Sequence, residues 1–159
     1  MKNWIIFITS FVLILTIGIS VLVLWKASSP FKSIEKEATE LAISSNIIQK
    51  ASEAYVYNGN KPYVTVFGVD EKGDKLAVFV PITLDEKAIQ YVRLEDGISE
   101  KEALAELDQK DVKEVLHTKL GYEEPGAVWE IAYINHSDKL NYVYVLFEDG
   151  QWWKRILNL

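Results

Sequence analysis

The chain contains no cysteine, which excludes thiol nucleophiles, thiolate metal sites and a disulfide framework. It has only two histidines, His117 and His136, with nothing near either at metal-ligand spacing. No G-x-S-x-G elbow, glycine-rich phosphate loop or H-E-x-x-H motif occurs. The acidic doublets Asp85-Glu86, Glu95-Asp96, Glu123-Glu124 and Glu148-Asp149 fall at expected element ends, where carboxylates are ordinarily solvated rather than paired across a glycosidic bond. Asn135-His136-Ser137 matches the glycosylation sequon, a motif common by chance. Basic charge is also scarce: 17 Lys and Arg face 23 Asp and Glu, for a net charge of −6. That balance disfavours sequence-independent nucleic-acid binding, which needs clustered cations against phosphate. These absences argue against an enzyme and imply no metal and no cofactor.

Charge is missing altogether from Trp4 to Trp25, a 22-residue run, WIIFITSFVLILTIGISVLVLW. A helix of that length covers about 33 Å, enough for a hydrocarbon core of about 30 Å. Tryptophan favours the headgroup region, so both ends read as anchored. The run is too long for a cleaved signal, and the small-residue pattern fits only a cut that leaves Pro30 first. An uncleaved single-pass membrane anchor is therefore expected. Lys2 on one side and Lys26 and Lys32 on the other leave the positive-inside count nearly tied. A tail of three residues and the absence of cysteine favour a C-terminal part outside the cytoplasm.

Beyond Trp25 lie all 23 acidic residues and 16 of the 17 basic ones, a balance of −7. No low-complexity tract or long like-charge block interrupts this part, so it should fold throughout. Ser28-Ser29-Pro30 is expected to end or kink the membrane helix. From Ser33 a second helical pattern follows, with Ile34, Ala38, Leu41, Ala42 and Ile48 on one face, to about Gln49. Ala54–Asn58, Tyr63–Val69 and Leu76–Pro81 read as strands, joined by Asn58-Gly59-Asn60 and a polar loop containing Gly73. Ile89–Leu94 reads as a further strand opening the second half. Ser99 and Glu102 form a capping box in ISEKEALAELD. Asp111 and Glu114 share that spacing, which predicts a second helix with Val112, Val115, Leu116 and Leu120 on one face, His117 between them, and Gly121 as its left-handed stop. Ala127–Ile134, Tyr142–Glu148 and Trp152–Leu157 complete a second meander. Helix then antiparallel strands, twice over, predicts an α+β fold with an internal duplication.

The anchor, the segment PYVTVFGVDEKGDKLAVFVP, the ISEKEAL helix start and the late VWEIAYI…YVYVLFEDGQWW meander resemble the YpmB/TseB family of Gram-positive bacterial membrane proteins along nearly the whole chain. The later elements are also similar to the PepSY pattern. The resemblance implies two tandem cystatin-like domains outside the membrane. It gives a division into a cytoplasmic tail (1–3), transmembrane helix (4–25), linker (26–32), first domain (33–84) and second, PepSY-like domain (85–159). The family name implies regulation of cell-wall elongation, and with it of peptidoglycan synthesis, through a membrane-bound penicillin-binding transpeptidase. No catalytic motif comes with it.

The aromatic residues admit two readings. Tyr55 and Tyr57 alternate on one strand and Tyr142 and Tyr144 on another, with Trp129, Trp152 and Trp153 in the same sheet region. In one they are cross-strand packing pairs; in the other Tyr142, Tyr144, Trp152 and Trp153 belong to a recognition surface. Alternation puts one of Trp152 and Trp153 in the core, and Trp152 is the expected one. The functional expectation is a membrane-anchored, non-enzymatic regulator working by protein–protein interaction. The alternative is a domain that binds a peptide, glycan or small ligand on a concave sheet.

Overall fold

The computed structural model describes residues 2–107 and 110–159. Helix α1 is Lys2–Ser44, and within it the chain divides into two compact units, one ending at Ile34 and one comprising Glu35–Leu159. In the first unit, Asn3–Val23 is a 21-residue stretch of mean hydropathy 2.7 with no buried side chain, long and apolar enough to cross a membrane. The hydroxyls of Thr9, Thr16 and Ser20 donate to the carbonyls four residues back at 2.7, 2.8 and 2.8 Å. Those polar groups are thus satisfied inside the helix, as an apolar environment demands. The anchoring expected of Trp25 concerns a side chain outside the described ones. Residues 26–32, expected to be a linker, are helical, so α1 does not end at Ser28-Ser29-Pro30. Proline's fixed φ is itself helical, and its cost is one lost bond and a crowded preceding turn.

In the second unit, α1 stops at Ser44 rather than near Gln49, because Asn46 adopts φ 56°, a left-handed stop that asparagine tolerates. Four strands follow, β1 (Lys50–Asn58), β2 (Pro62–Val69), β3 (Lys75–Pro81) and β4 (Gln90–Arg93). Helix α2 (Glu100–Ala105) precedes β5 (Val112–Glu123), β6 (Gly126–Asn135), β7 (Leu140–Leu146) and β8 (Trp152–Ile156). The strands form two four-stranded antiparallel meanders, β1-β2-β3-β4 and β5-β6-β7-β8. The fold is α+β as expected, with an N-terminal apolar helix and two sheets.

Two elements depart from expectation. The strand expected to open the second half, β4, instead closes the first sheet, pairing with β3 from Leu76↔Arg93 to Phe79↔Gln90. The helix expected from Asp111 is the strand β5, paired with β6 from Val112↔Asn135 to Glu123↔Gly126. Its register shifts between Val112 and Glu114 and again between Val115 and His117. Each bulge adds a residue, so apolar positions fall three or four apart instead of two and imitate a helical stripe. The capping box before α2 forms as read: Ser99 accepts from the Glu102 N–H, and Glu102 accepts from the Ser99 N–H at 2.8 Å.

Alternation sorts the first sheet into two faces. Val64, Val66, Leu76, Val78 and Val80 line one, and they are buried together with Ala38, Ala42 and Ile48. The other face supplies Ala77 and Phe79 to a core cluster with Ala103 and Leu107 around α2 and with Leu120, Trp129, Ile131, Val143 and Val145 of the second sheet. One core therefore joins both sheets.

Candidate functional site

The two sheets meet at β5, an edge strand whose backbone groups would otherwise lie unpaired on the side away from β6. Side chains from the first sheet occupy that edge. The Tyr55 hydroxyl accepts from Leu120 N–H at 2.8 Å and donates to its carbonyl at 3.1 Å, and Thr65 Oγ1 donates to the same carbonyl at 2.8 Å. Burial pushes the Tyr55 hydroxyl well above the ordinary tyrosine range, so it remains protonated and can donate. Two residues further along, the Tyr57 hydroxyl donates to Glu123 Oε1 at 3.0 Å, and the Asn60 N–H donates to the same oxygen at 3.1 Å. Gly121 and Gly59 make room for this clamp. A Cβ on Gly121 would come within 2.4 Å of the Tyr57 ring, and one on Gly59 within 2.0 Å of the Glu123 carboxylate. Gly121 is thus not a left-handed helix stop but a close-approach position in a strand.

Glu123 also departs from expectation. Expected to be solvated, it is only 8% exposed. The other doublets do lie at turns: Asp85 caps a short turn by accepting from Lys87 N–H, and Asp149 accepts from Gln151 N–H. Asn135 of the sequon is buried, its side chain accepting from the Ser137 and Lys139 N–H groups to close the hairpin. Among the described residues no group of three or more His, Asp or Glu is arranged to hold a metal.

The four aromatics singled out from the sequence divide. Tyr144, Trp153 and Tyr142 gather on the face of the second sheet opposite α2. Tyr144 and Trp153 pack edge to face, with centroids 6.0 Å apart at 82°, and Lys154 Nζ lies 5.4 Å from the Tyr144 ring and 5.9 Å from Trp153. The Tyr142 ring is 6.3 Å from His117, whose Nε2 lies 3.0 Å from Glu130 Oε1. Burial, then the charge and hydrogen bond of the facing Glu130, raises the Tyr144 hydroxyl above its ordinary range.

Trp152 lies elsewhere. It pairs with Val145, whose side chain belongs to the core face, and Arg155 stacks 4.5 Å above its ring. The expectation that Trp152 is buried is corrected: it is 40% exposed, while Trp153 is half-buried. A register shift between Tyr144↔Lys154 and Val145↔Trp152 leaves Trp153 as the bulged residue, so simple alternation fails there. His117 and Glu130 escaped the sequence reading because the helical assignment of β5 hid their cross-strand approach.

A Bacillus subtilis (strain 168) protein named "Probable cell wall elongation regulator TseB" is 30% identical over 143 residues, 84% of this chain and 88% of that protein. The chain belongs to the TseB-like family. Residues 37–81 also match the family model described as the cell wall elongation regulator TseB-like domain. The solved YpmB protein from Bacillus subtilis superposes with a TM-score of 0.68 at 28% identity, over 77% of this chain and 95% of that one. The TseB-like segment holds the end of α1 and β1–β3, and so includes Tyr55, Tyr57 and Thr65, which grip β5. The aromatic cluster on β7 and β8 lies beyond it.

Proposed function

We propose that the chain is a membrane-anchored, extracytoplasmic and non-enzymatic regulator of cell-wall elongation that acts by contact with a membrane-bound penicillin-binding transpeptidase. The observation that carries the contact mode is the packed group Tyr142, Tyr144, Trp153 and Lys154 on one sheet face. Aromatic side chains held rigid by cross-strand packing are the usual anchors of protein interfaces. TseB-like membership supports the regulatory role, and the apolar stretch Asn3–Val23 supports a tether to the membrane. The choice of a transpeptidase rests on the resemblance of the sequence to its family. In this reading the two helix-plus-meander units are tandem cystatin-like domains. The pairing of β4 with β3 supports a division near Gly97.

Binding of the full-length chain in detergent to a purified class B transpeptidase from the same cell tests the proposal. The wild type is expected to bind, and Trp153→Ala to bind about 30-fold more weakly, as truncation of an interface anchor costs about 2 kcal/mol. A wild type that binds no such enzyme overturns the partner. A Trp153→Ala variant of undiminished affinity overturns the surface.

A further inference from the structure

Beside the clamp lies a cavity of about 390 Å³ lined by Asn60, Lys61, Tyr63, Tyr122, Glu123 and Glu124. Its size falls within the ordinary range of ligand pockets, about 300–1,000 Å³. Tyr63 from β2 and Tyr122 from β5 form adjoining walls, with ring centroids 5.7 Å apart at 69°. Tyr122 is held from behind by Phe79, 5.4 Å away. The Glu123 carboxylate contributes the base of the site. Its Oε1 is occupied by the Tyr57 hydroxyl and the Asn60 N–H, whereas Oε2 has only a 3.4 Å approach from that same N–H.

A carboxylate that is more than nine-tenths buried is ordinarily paired with a cation. Among the described residues Lys36 lies against Glu40, Arg93 against Asp74, Lys113 against Asp138 and His117 against Glu130, and Glu123 is in none of these pairs. Burial, with smaller contributions from Tyr122 and Glu123, raises the Tyr63 hydroxyl above its ordinary range. Exposed Glu124 adds a second negative charge, and exposed Lys61 is the single opposing charge in the lining.

We propose that this cavity binds a primary ammonium group on an aliphatic stem, of the lysine side-chain type. The ammonium meets Glu123 Oε2, and the stem lies against the Tyr63 and Tyr122 rings, which attract the cation through their faces. An anion is disfavoured by two carboxylates against one lysine, and a neutral apolar ligand would leave the Glu123 charge uncompensated. None of the lining residues belongs to the aromatic cluster on β7 and β8, so the proposal does not rest on that partner surface.

Amide spectra of the ¹⁵N-labelled full-length chain in detergent micelles test this, titrated with Nα-acetyl-lysine methylamide. Saturable shifts are expected at Gly59, Asn60 and Glu123. They are expected to be absent with the norleucine analogue, which lacks the charge, and with the Nζ-acetylated one, which neutralises it. Glu123→Gln keeps an acceptor for Tyr57 and Asn60 and is expected to weaken binding about fivefold or more, whereas Lys61→Gln is expected to strengthen it about twofold. Tyr63→Leu keeps an apolar wall without the ring and is expected to weaken binding about threefold. Equal shifts with norleucine, or wild-type affinity in folded Glu123→Gln, overturn the proposal. The same titration with a lysine-containing pentapeptide distinguishes a peptide-borne ammonium, bound more tightly than the lone residue, from a free small amine, bound equally well.

Discussion

Adding one methyl group at Gly121 should be far more damaging than its place in an open-looking sequence suggests. The new Cβ would lie 2.4–2.5 Å from three atoms of the Tyr57 ring, closer than real Cβ contacts come. Tyr57 is 1% exposed and its hydroxyl holds Glu123, so the ring has no empty space to enter. Overpacking of this kind costs about 1–3 kcal/mol. Loss of the Tyr57–Glu123 hydrogen bond between buried partners adds about 1–3 kcal/mol. Gly121→Ala should therefore destabilise by about 2–6 kcal/mol, and Gly121→Val by at least as much. Gly73→Ala, at φ +89° with nothing near its Cβ, should cost only the backbone term of about 1–2 kcal/mol. Circular dichroism melts of the full chain in detergent measure the difference, at about 3–5 °C per kcal/mol for a folded unit of this size. A double variant with Tyr57→Leu should recover part of the loss at Gly121, since the smaller side chain removes the clash. Gly121→Asn separates this reasoning from a left-handed helix stop, where asparagine is accepted: here it must be costly. Wild-type melting of Gly121→Ala, or a near-neutral Gly121→Asn, would refute the close approach.

Ser99→Ala should destabilise by about 1 kcal/mol through loss of the α2 cap, seen in the same melts. Hydrogen bonds from the Ser99 backbone and side chain hold the Glu102 carboxyl below its ordinary range, so its contribution is present above that range and lost as pH falls through the lowered value; a Glu102→Gln variant should lack that part of the acid dependence in melts between neutral and acidic pH. Trp152→Ala should leave partner binding within about twofold and Trp153→Ala should not, because only Trp153 packs on Tyr144; calorimetric titration of both variants checks this. Because the chain has no cysteine, a lone cysteine at exposed Lys72 should react with a membrane-impermeant maleimide in intact cells if the second unit is extracytoplasmic; protection until lysis would reverse the topology. Exchange of residues 4–25 for an unrelated spanning helix should preserve function in cells, and its complete loss would mean that the helix itself recognises the partner.

Elements that obey one uniform period were legible from residues alone. Asn3–Val23 declares itself by the absence of charge, β2 and β3 by β-branched and aromatic residues around a polar loop, and α2 by a capping box that depends on four adjacent positions. Bulges hid the rest. Two extra residues in β5 turned a strand pattern into a helical one, and with it went the His117–Glu130 approach and the role of Gly121. A third bulge, at Trp153, reversed which tryptophan belongs to the outer face. The assignment of β4 to the first sheet, and the burial of Glu123 beneath Tyr57 and Asn60, depend on contacts across more than sixty residues or on sheet order, and neither leaves a local signal. Glycine content did carry a hint, since Gly59 and Gly121 are both explained by one clamp.

The most direct test of a regulator that works through its β7–β8 face is a photo-crosslinking residue placed at Lys154 in the full-length chain and activated in native membranes. A penicillin-binding transpeptidase trapped at that position, and lost when Trp153→Ala is added, is the predicted result. Efficient crosslinking from an exposed site on the first sheet, such as Lys72, with none from Lys154, would contradict it.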